Sequence, residues 1–255
     1  MTAPLARTLS SLAAVVMTVS CTSYYEIPIE TPIRPKLDVS AFQRVLVAGF
    51  ISGGTDDVDG NLETTRLLRS QLRTKSEMRV IDTDVLPLMD VAAESRAPGD
   101  TAAESDAVPP GTIREDSDLE PYEHVFADVE YWKRIGEEYQ QPLIVTGTVM
   151  FAPQARSGIV QRDQEVYDSF GRRRVVPVRT YMERKGFVLK PRFIFIDGRT
   201  GTVLHSENFR EEILYNANQT SPALSSYFEL MDRLIPSFLS TLSSQKIKGT
   251  RVLLQ

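Results

Sequence analysis

The sequence of 255 residues contains a single cysteine, Cys21, and only two histidines, His124 and His205. One cysteine cannot form an internal disulfide, so no covalent cross-link within the chain stabilises the fold. No CxxC or HExxH motif occurs, and the sequence therefore offers no recognisable ligand set for a structural or catalytic zinc ion. We expect no metal and no cofactor.

Catalytic motifs are missing as well. The nucleophile motif GxSxG does not occur, and neither histidine lies in a recognisable catalytic pattern. The Gly/Asp-rich stretch ISGGTDDVDG (51–60) lacks the pattern of a phosphate-binding loop, and only its DVDG end fits a calcium loop, so it predicts a plain flexible loop. We therefore name no catalytic residue and expect that the protein is not an enzyme.

An excess of positive charge is also absent, because the formal net charge is −5. Since the phosphate backbone of nucleic acids favours a positive protein surface, this balance argues against a nucleic-acid partner. The hydrophobic fraction of 42% and charged fraction of 25% are ordinary for a soluble globular protein that is long enough to bury a core.

The first 21 residues, MTAPLARTLSSLAAVVMTVSC, combine one early positive charge at Arg7 with an uncharged, largely apolar run from Leu9 to Val19. This run has the length of a signal-peptide core and falls well short of the roughly 20 apolar residues of a transmembrane helix. With small residues leading into Cys21, the segment resembles a bacterial lipoprotein signal peptide, although Thr18 stands where leucine is usual. The resemblance implies that Cys21 becomes the first mature residue and is acylated through its sulfur. An ordinary buried cysteine is the less favoured alternative.

Three further segments follow this signal-like region. Residues 22–40 contain Pro28, Pro32 and Pro35 without a helical or strand period, and predict an extended tether. Residues 41–255 predict a single α/β domain. Within that domain, residues 90–121 are rich in Ala, Asp, Glu, Pro and Ser, and predict a disordered acidic insert because they cannot bury enough apolar surface to offset the entropy of ordering.

The order of predicted elements begins with a parallel pattern. A buried strand at Arg44–Phe50, an amphipathic helix at Asn61–Glu77 and a strand at Met78–Asp84 predict a right-handed βαβ unit. A helix over Glu123–Gln140 and an apolar strand over Pro142–Phe151 come after the insert.

The second half of the chain predicts antiparallel structure. A hairpin is expected around the turn Asp168–Gly171, and two further strands around the turn Asp197–Gly201. The last helix begins near Ser221, and Pro236 is expected to kink or split it. The whole order predicts an α/β fold: a three-layer-like mixed sheet with flanking helices, a βαβ start, antiparallel hairpins and a C-terminal helix.

Four stretches in this order resemble the CsgG-like and TolB amino-terminal-domain-like periplasmic proteins over roughly residues 44–215. These stretches are RVLVAGFISG (44–53), EMRVIDTD (77–84), YWKRIGEEYQQPLIVTGTVMF (131–151) and FIFIDGRTGTVLHSENF (193–209). The resemblance implies a small mixed sheet with helices on its faces, a bacterial envelope location, frequently a lipid anchor, and action through binding other proteins. It implies fold-defining turns at Thr146–Gly147 and Asp197–Gly201, and no catalytic residues.

One surface feature is a basic hairpin whose six cations oppose a single acid, Glu183. The cations are Arg172, Arg173, Arg174, Arg179, Arg184 and Lys185. Their charges would be costly against lipid, and Pro177 removes a ladder donor, so the sequence indicates a member that does not form a pore. The hairpin is either a solvated edge whose charges discourage pairing, which is slightly favoured, or a contact for an acidic partner, lipid head groups or an anionic glycan.

Taken together, the sequence predicts a lipoprotein anchored in the outer membrane through Cys21, facing the periplasm and binding a protein partner in an envelope assembly or secretion machine. The alternative is a soluble periplasmic domain that binds a small ligand or an anionic glycan at the open ends of its sheet. The sequence leaves the partner's identity and the oligomeric state open, a homo-oligomer included.

Overall fold

The computed structural model describes residues 24–94, 113–216, 219 and 221–254, which form two compact units. Described residues 24–35 and 243–254 belong to the smaller unit, and residues from 36 to 242 belong to the larger unit. In chain order the elements are β1 (Tyr24–Ile33), β2 (Arg44–Gly54), α1 (Gly60–Lys75), β3 (Arg79–Val80), α2 (Leu88–Glu94), a 3₁₀ helix (Asp116–Tyr122), α3 (His124–Ala127), α4 (Val129–Glu138), β4 (Leu143–Tyr167), β5 (Arg173–Asp197), β6 (Val203–Asn208), β7 (Glu211–Asn216), α5 (Ala223–Leu242) and β8 (Gln245–Leu254).

The smaller unit is a two-stranded antiparallel ribbon in which β1 pairs with β8 along its whole length. Ile27, Ile29 and Ile33 alternate along β1 and are 40–46% exposed. The segment expected to be an extended tether thus has a partner strand, and that partner comes from the end of the chain, which the sequence had placed in the single domain. The extended conformation follows from the prolines, whereas the pairing joins residues too far apart for local patterns to predict.

The larger unit is built on a six-stranded mixed sheet. The strands β3, β2 and β4 are parallel, and β5 then runs antiparallel to β4, with β6 and β7 pairing with successive parts of β5. This topology confirms the predicted βαβ start and the antiparallel hairpins that follow it.

Two apolar cores lie on opposite faces of the sheet, because alternate side chains of each strand point to opposite sides. Val45 and Val47 of β2 pack into the core formed with α1 and α5, whereas Leu46 and Ala48 pack into the core formed with α2, α3 and α4. Helices therefore cover both faces, and the predicted three-layer α/β arrangement with its C-terminal helix is confirmed.

The segment predicted as a disordered acidic insert, 90–121, differs from that prediction at both ends. Its first residues complete α2, where Ala92 is buried, and its last residues form most of the 3₁₀ helix, where Leu119 is buried. Ile113 is also buried, and its carbonyl accepts the N–H of Gly54 at 2.8 Å. A few apolar side chains anchor both ends on the sheet although the average composition is polar. Residues 95–112 lie outside the described residues.

Three local expectations also need correction. Thr146–Gly147 is not a turn but lies within β4, where the Thr146 hydroxyl donates to the Gly49 carbonyl at 2.9 Å across the sheet. The helix expected over Glu123–Gln140 is interrupted at Asp128, whose carboxylate accepts the N–H of Tyr131 at 2.9 Å and so caps α4. Helix α5 continues through Pro236 and is not split.

Candidate functional site

The two longest strands, β4 and β5, continue far beyond the sheet as a hairpin. Residues 143–151 of β4 are all buried, but pairing with β2 ends at Phe151, and pairing of β5 with β7 ends at Arg184. Beyond these points, residues 153–167 of β4 pair only with β5, and residues 173–183 of β5 pair only with β4. Together with the turn between them, we call residues 153–183 the arm. At the usual rise per residue, its fifteen-residue β4 segment, 153–167, is about 50 Å long.

A tight turn closes the arm at the position that the sequence predicted. The N–H groups of Phe170 and Arg172 donate to Asp168 Oδ1 at 2.9 Å, and Gly171 has a positive φ of 73° that a side chain would oppose. The backbone N–H of Arg172, together with those of Phe170 and the Arg172 side chain, holds the pKa of Asp168 below its ordinary value, although partial desolvation opposes this. The turn therefore has its own hydrogen bonds and needs no support from the body of the protein.

The six cations predicted for the hairpin are all exposed, but most are paired at close range. The ion pairs are Arg172–Asp168 at 3.0 Å, Arg173–Glu165 at 2.6 Å, Arg174–Asp168 at 3.8 Å and Lys185–Glu183 at 3.1 Å. No ion pair involves Arg179 or Arg184 among the residues that the structure describes. Arg184 and Lys185 lie at the base, where β5 meets β7.

Sequence reasoning missed the acids that face these cations. It counted only Glu183 because it considered a single strand, whereas the register brings the β4 strand, with Asp163 and Glu165, alongside β5. Residues 153–185 hold eight Arg and Lys side chains against four carboxylates, in a chain of net charge −5. The arm is therefore net positive, but less so than the sequence of β5 indicated.

Large apolar side chains are exposed along the arm, which the sequence did not predict. Ile159 is 73% exposed, and Tyr181, directly opposite it, is 67% exposed. At the tip, Tyr167 is 67% and Phe170 is 81% exposed, and the Arg172 guanidinium lies 5.3 Å from the Phe170 ring centre. Apolar groups concentrated on one projecting element are typical of an interaction surface. The alternation of these side chains with polar residues did not predict their exposure, because the same pattern is typical of a strand with one buried face.

Two clefts in the larger unit bear on the alternative of ligand binding. One, of about 260 Å³, lies at the end of β2 and is lined by Gly53, Asp56, Asp59 and Ile113 among others. The other, of about 280 Å³, contains the cations Lys190 and Arg192, but these pair with Asp116 and Glu123 at 2.5 Å. Carboxylates in or beside both clefts oppose the binding of an anion.

The remaining residues considered from the sequence do not form a site. His124 Nδ1 lies 2.9 Å from the Pro121 carbonyl oxygen, and His205 Nε2 lies 3.4 Å from Glu207 Oε2. Within the part of the chain that the structure describes, no three His, Cys, Asp or Glu side chains gather as a metal site would require. Cys21 lies outside the described residues. Among the described helices, none is long and apolar enough to span a membrane.

Comparisons with known proteins give only distant likenesses. No protein-family model matches the chain, and no curated protein matches it. Among solved structures, the lipoprotein GNA1162 from Neisseria meningitidis is 10% identical, with 77% of this chain and 97% of that chain covered and a TM-score of 0.35. A hemagglutinin homolog from Helicobacter pylori is 12% identical, with 84% and 90% covered and a TM-score of 0.35. At these values, neither likeness carries an argument about this chain's function.

Proposed function

We propose that this protein is a non-enzymatic lipoprotein of the bacterial envelope, anchored through Cys21 in the outer membrane and facing the periplasm, and that its arm binds a protein partner in an envelope assembly. The observation that carries the proposal is the arm itself. A two-stranded ribbon is marginally stable in water, yet here one projects from the sheet with Ile159, Tyr167 and Tyr181 exposed. A partner that covers these side chains would stabilise the arm by removing apolar surface from water.

The charges of the arm suggest the character of this partner. Arg179 and Arg184, the two cations of the basic hairpin for which no ion pair is seen among the described residues, lie on β5. A partner that supplies carboxylates near them would form charge-assisted hydrogen bonds and steer the association. An acidic protein surface therefore fits the β5 strand from its base at Arg184 to Arg179 in the arm.

Co-purification from solubilised envelope tests the partner. The full chain is expected to retain a specific protein, and the double variant Arg179→Gln/Arg184→Gln is expected to lose most of it. Arg66→Gln/Arg134→Gln is the matched control, since these exposed arginines lie on α1 and α4. Equal recovery with all three chains would contradict a role for the arm.

Incorporation of labelled palmitate tests the anchor separately. The wild-type chain is expected to be labelled, and Cys21→Ala is expected not to be, because the acyl chain would be attached through the sulfur. Labelling that is the same in both chains would exclude Cys21 as the anchor. A partner could still bind the arm in that case, so the two parts of the proposal fail independently.

Ligand binding remains the second candidate, and the cleft at the end of β2 is the feature that favours it. Asp56 and Asp59 in this cleft would suit a cationic or hydroxyl-bearing ligand better than the anionic glycan that the sequence suggested. A small molecule retained by the full chain and lost in Asp56→Ala, with no protein recovered, would favour this candidate over the first.

A further inference from the structure

The backbone of the arm leaves two open edges, and hydrogen bonds at its base show which residues face each edge. The Phe151 carbonyl accepts the N–H of Thr55 at 2.8 Å, so it points away from β5. The Pro191 carbonyl accepts the N–H of Phe209 at 2.9 Å, so it points away from β4. Along a regular antiparallel pair, the N–H and C=O groups of successive residues point alternately towards the partner strand and away from it. In the arm, the odd-numbered residues of both strands therefore point their N–H and C=O groups away from the partner strand, towards the open edges.

The two edges differ in whether they can accept another strand. On β5, the outward-facing position 177 is a proline, which interrupts the row of donors in the middle of the edge. The strand also carries closely spaced cations, and both features discourage pairing. On β4, the only proline, Pro153, lies at the base, so positions 155–167 offer an uninterrupted row of outward N–H and C=O groups. Residues 157–161, SGIVQ, are uncharged.

We propose that two copies of this chain pair through the outer edges of their β4 arm segments, residues 153–167, antiparallel and about a two-fold axis, to form a four-stranded arm. This inference goes beyond the proposed function and requires neither the lipid anchor nor another protein. The β5 edge, which Pro177 interrupts, remains exposed in such a dimer. The acidic partner proposed above could therefore bind there at the same time.

The available length of the edge fixes the register. Up to Phe151 the edge is occupied by β2, and the strand ends at Tyr167, so the longest pairing places residue 153 of one copy opposite residue 167 of the second. The two-fold axis then passes beside Val160. In this register Arg156 faces Gln164 and Arg162 faces Gly158 of the second copy, and no like charges oppose each other directly.

Charge complementarity at the ends favours a second copy over an unrelated strand. In this register the turn, 168–172, extends past Pro153 of the other copy towards the loop that follows β2. That loop carries Asp56 and Asp57 and is held beside the base of β4 by the bond from Thr55 to Phe151. The tip carries three consecutive arginines, 172–174, which share only two carboxylates, Asp168 and Glu165, and so leave a net positive charge beside the exposed Phe170. Because the pairing is symmetric, this basic-to-acidic contact forms twice.

Disulfide trapping tests the register. In a Cys21→Ser background, Val160→Cys places two thiols opposite each other at a pair whose Cα atoms are about 4.5 Å apart, which a disulfide can span. Oxidation of the purified full chain is expected to yield a covalent dimer. Val178→Cys is the matched control, since Val178 is equally half-buried and on the same face but lies on β5. Equal cross-linking of both variants, or none at position 160, would overturn the proposal.

Sedimentation of the full chain tests the edge. Gln161→Pro removes an outward donor from β4 without removing a β4–β5 ladder bond, and is expected to give a monomer where the wild type is a dimer. Arg179→Pro makes the same change directly opposite on β5, and is expected to remain a dimer. A monomeric wild type or a dimeric Gln161→Pro would refute self-pairing. When the oxidation is repeated in solubilised envelope, cross-linking of Val160→Cys only to a different protein would refute self-pairing and assign the edge to a foreign strand instead.

Discussion

The strands β4 and β5 pass through two different environments, the packed sheet and the solvent-exposed arm. Within the sheet, residues 143–151 of β4 and their partners in β5, residues 189–197, are covered on both faces by helices; we call this region the root. In the arm, residues 153–167 and 173–183 have no covering helix, and β4 and β5 have no neighbouring strand there except each other. The hydrogen-bonded register is continuous across the boundary, so the two regions differ in packing and not in backbone pairing.

This difference shows which interactions hold each region together. Burial of apolar side chains stabilises the root, where Phe193 packs with its ring centre 4.9 Å from that of Phe238 and 5.8 Å from that of Phe50. Cross-strand hydrogen bonds, a capped turn and surface ion pairs hold the arm, and each of these contributes little. The arm is therefore the region that we expect to respond most to a partner and least to single side-chain changes.

The largest expected difference concerns aromatic truncation. Phe193→Ala is expected to lower the free energy of unfolding by about 3–5 kcal/mol, because Phe193 is fully buried and its removal leaves a cavity. Tyr181→Ala is expected to change it by less than about 0.5 kcal/mol, since that ring is 67% exposed. Urea denaturation of both variants measures the contrast. Comparable losses would show that the arm contributes to the folded core.

Two glycines of β4 provide a second, smaller contrast. Gly147 has a φ of 142°, and a Cβ there would lie 1.8 Å from the Arg192 carbonyl oxygen. Gly147→Ala is therefore expected to cost at least about 1–3 kcal/mol.

Gly158 lies in the arm, where a Cβ would meet nothing within 4 Å. Gly158→Ala is expected to be neutral or to stabilise by up to about 1 kcal/mol, because alanine restricts the unfolded chain. Thermal unfolding of both variants checks the pair. A destabilising Gly158→Ala would indicate that the arm packs closely against something in solution.

The smallest effect is the titration of Asp168 at the tip. Its folded-state pKa is lowered, chiefly by the N–H of Arg172, so the stabilisation is present above its ordinary pKa of 3.8 and is lost as pH falls through the folded value. A carboxyl titration followed by NMR is expected to have its midpoint below 3.8. Below that midpoint, the amides of Phe170 and Arg172 should exchange faster while the root is unchanged. A midpoint at or above 3.8 would mean that the turn is open in solution.

Local patterns predicted most of the elements of the larger unit. The apolar run at Arg44–Phe50, the helix periodicity after Asn61 and the DGRTG turn all correspond to elements found there. They did not predict that β4 and β5 extend to 25 residues each, because the apolar run of β4 ends at Phe151 and the next residues, APQARSG (152–158), contain a proline and no large apolar side chain. The disordered insert was predicted too long because the average composition of residues 90–121 is polar, although Ile113 and Leu119 within that range are apolar and buried.

The candidate site was predicted only in part. The cations of β5 are visible in the sequence, but Glu165 and Asp163 oppose that strand only through the hairpin register. The two edges differ because the backbone nitrogen of Pro177 points to the outer edge of β5, and this orientation depends on the hairpin register, which the sequence alone does not give. Exposure of Ile159 and Tyr181 likewise depends on the absence of a covering element, which is a tertiary property.

By itself, the sequence determined most elements of the larger unit, the mixed α/β class and the turns at Asp168–Gly171 and Asp197–Gly201, because these follow from local periodicity, capping and backbone preferences. It also contains the lone Cys21 on which the anchor proposal depends. Only the tertiary structure decided that β1 pairs with β8 and that one hairpin leaves the sheet as an arm with one proline-interrupted edge and one continuous edge. The physical reason is that pairing and burial depend on residues far apart in the chain, whose proximity no local pattern records.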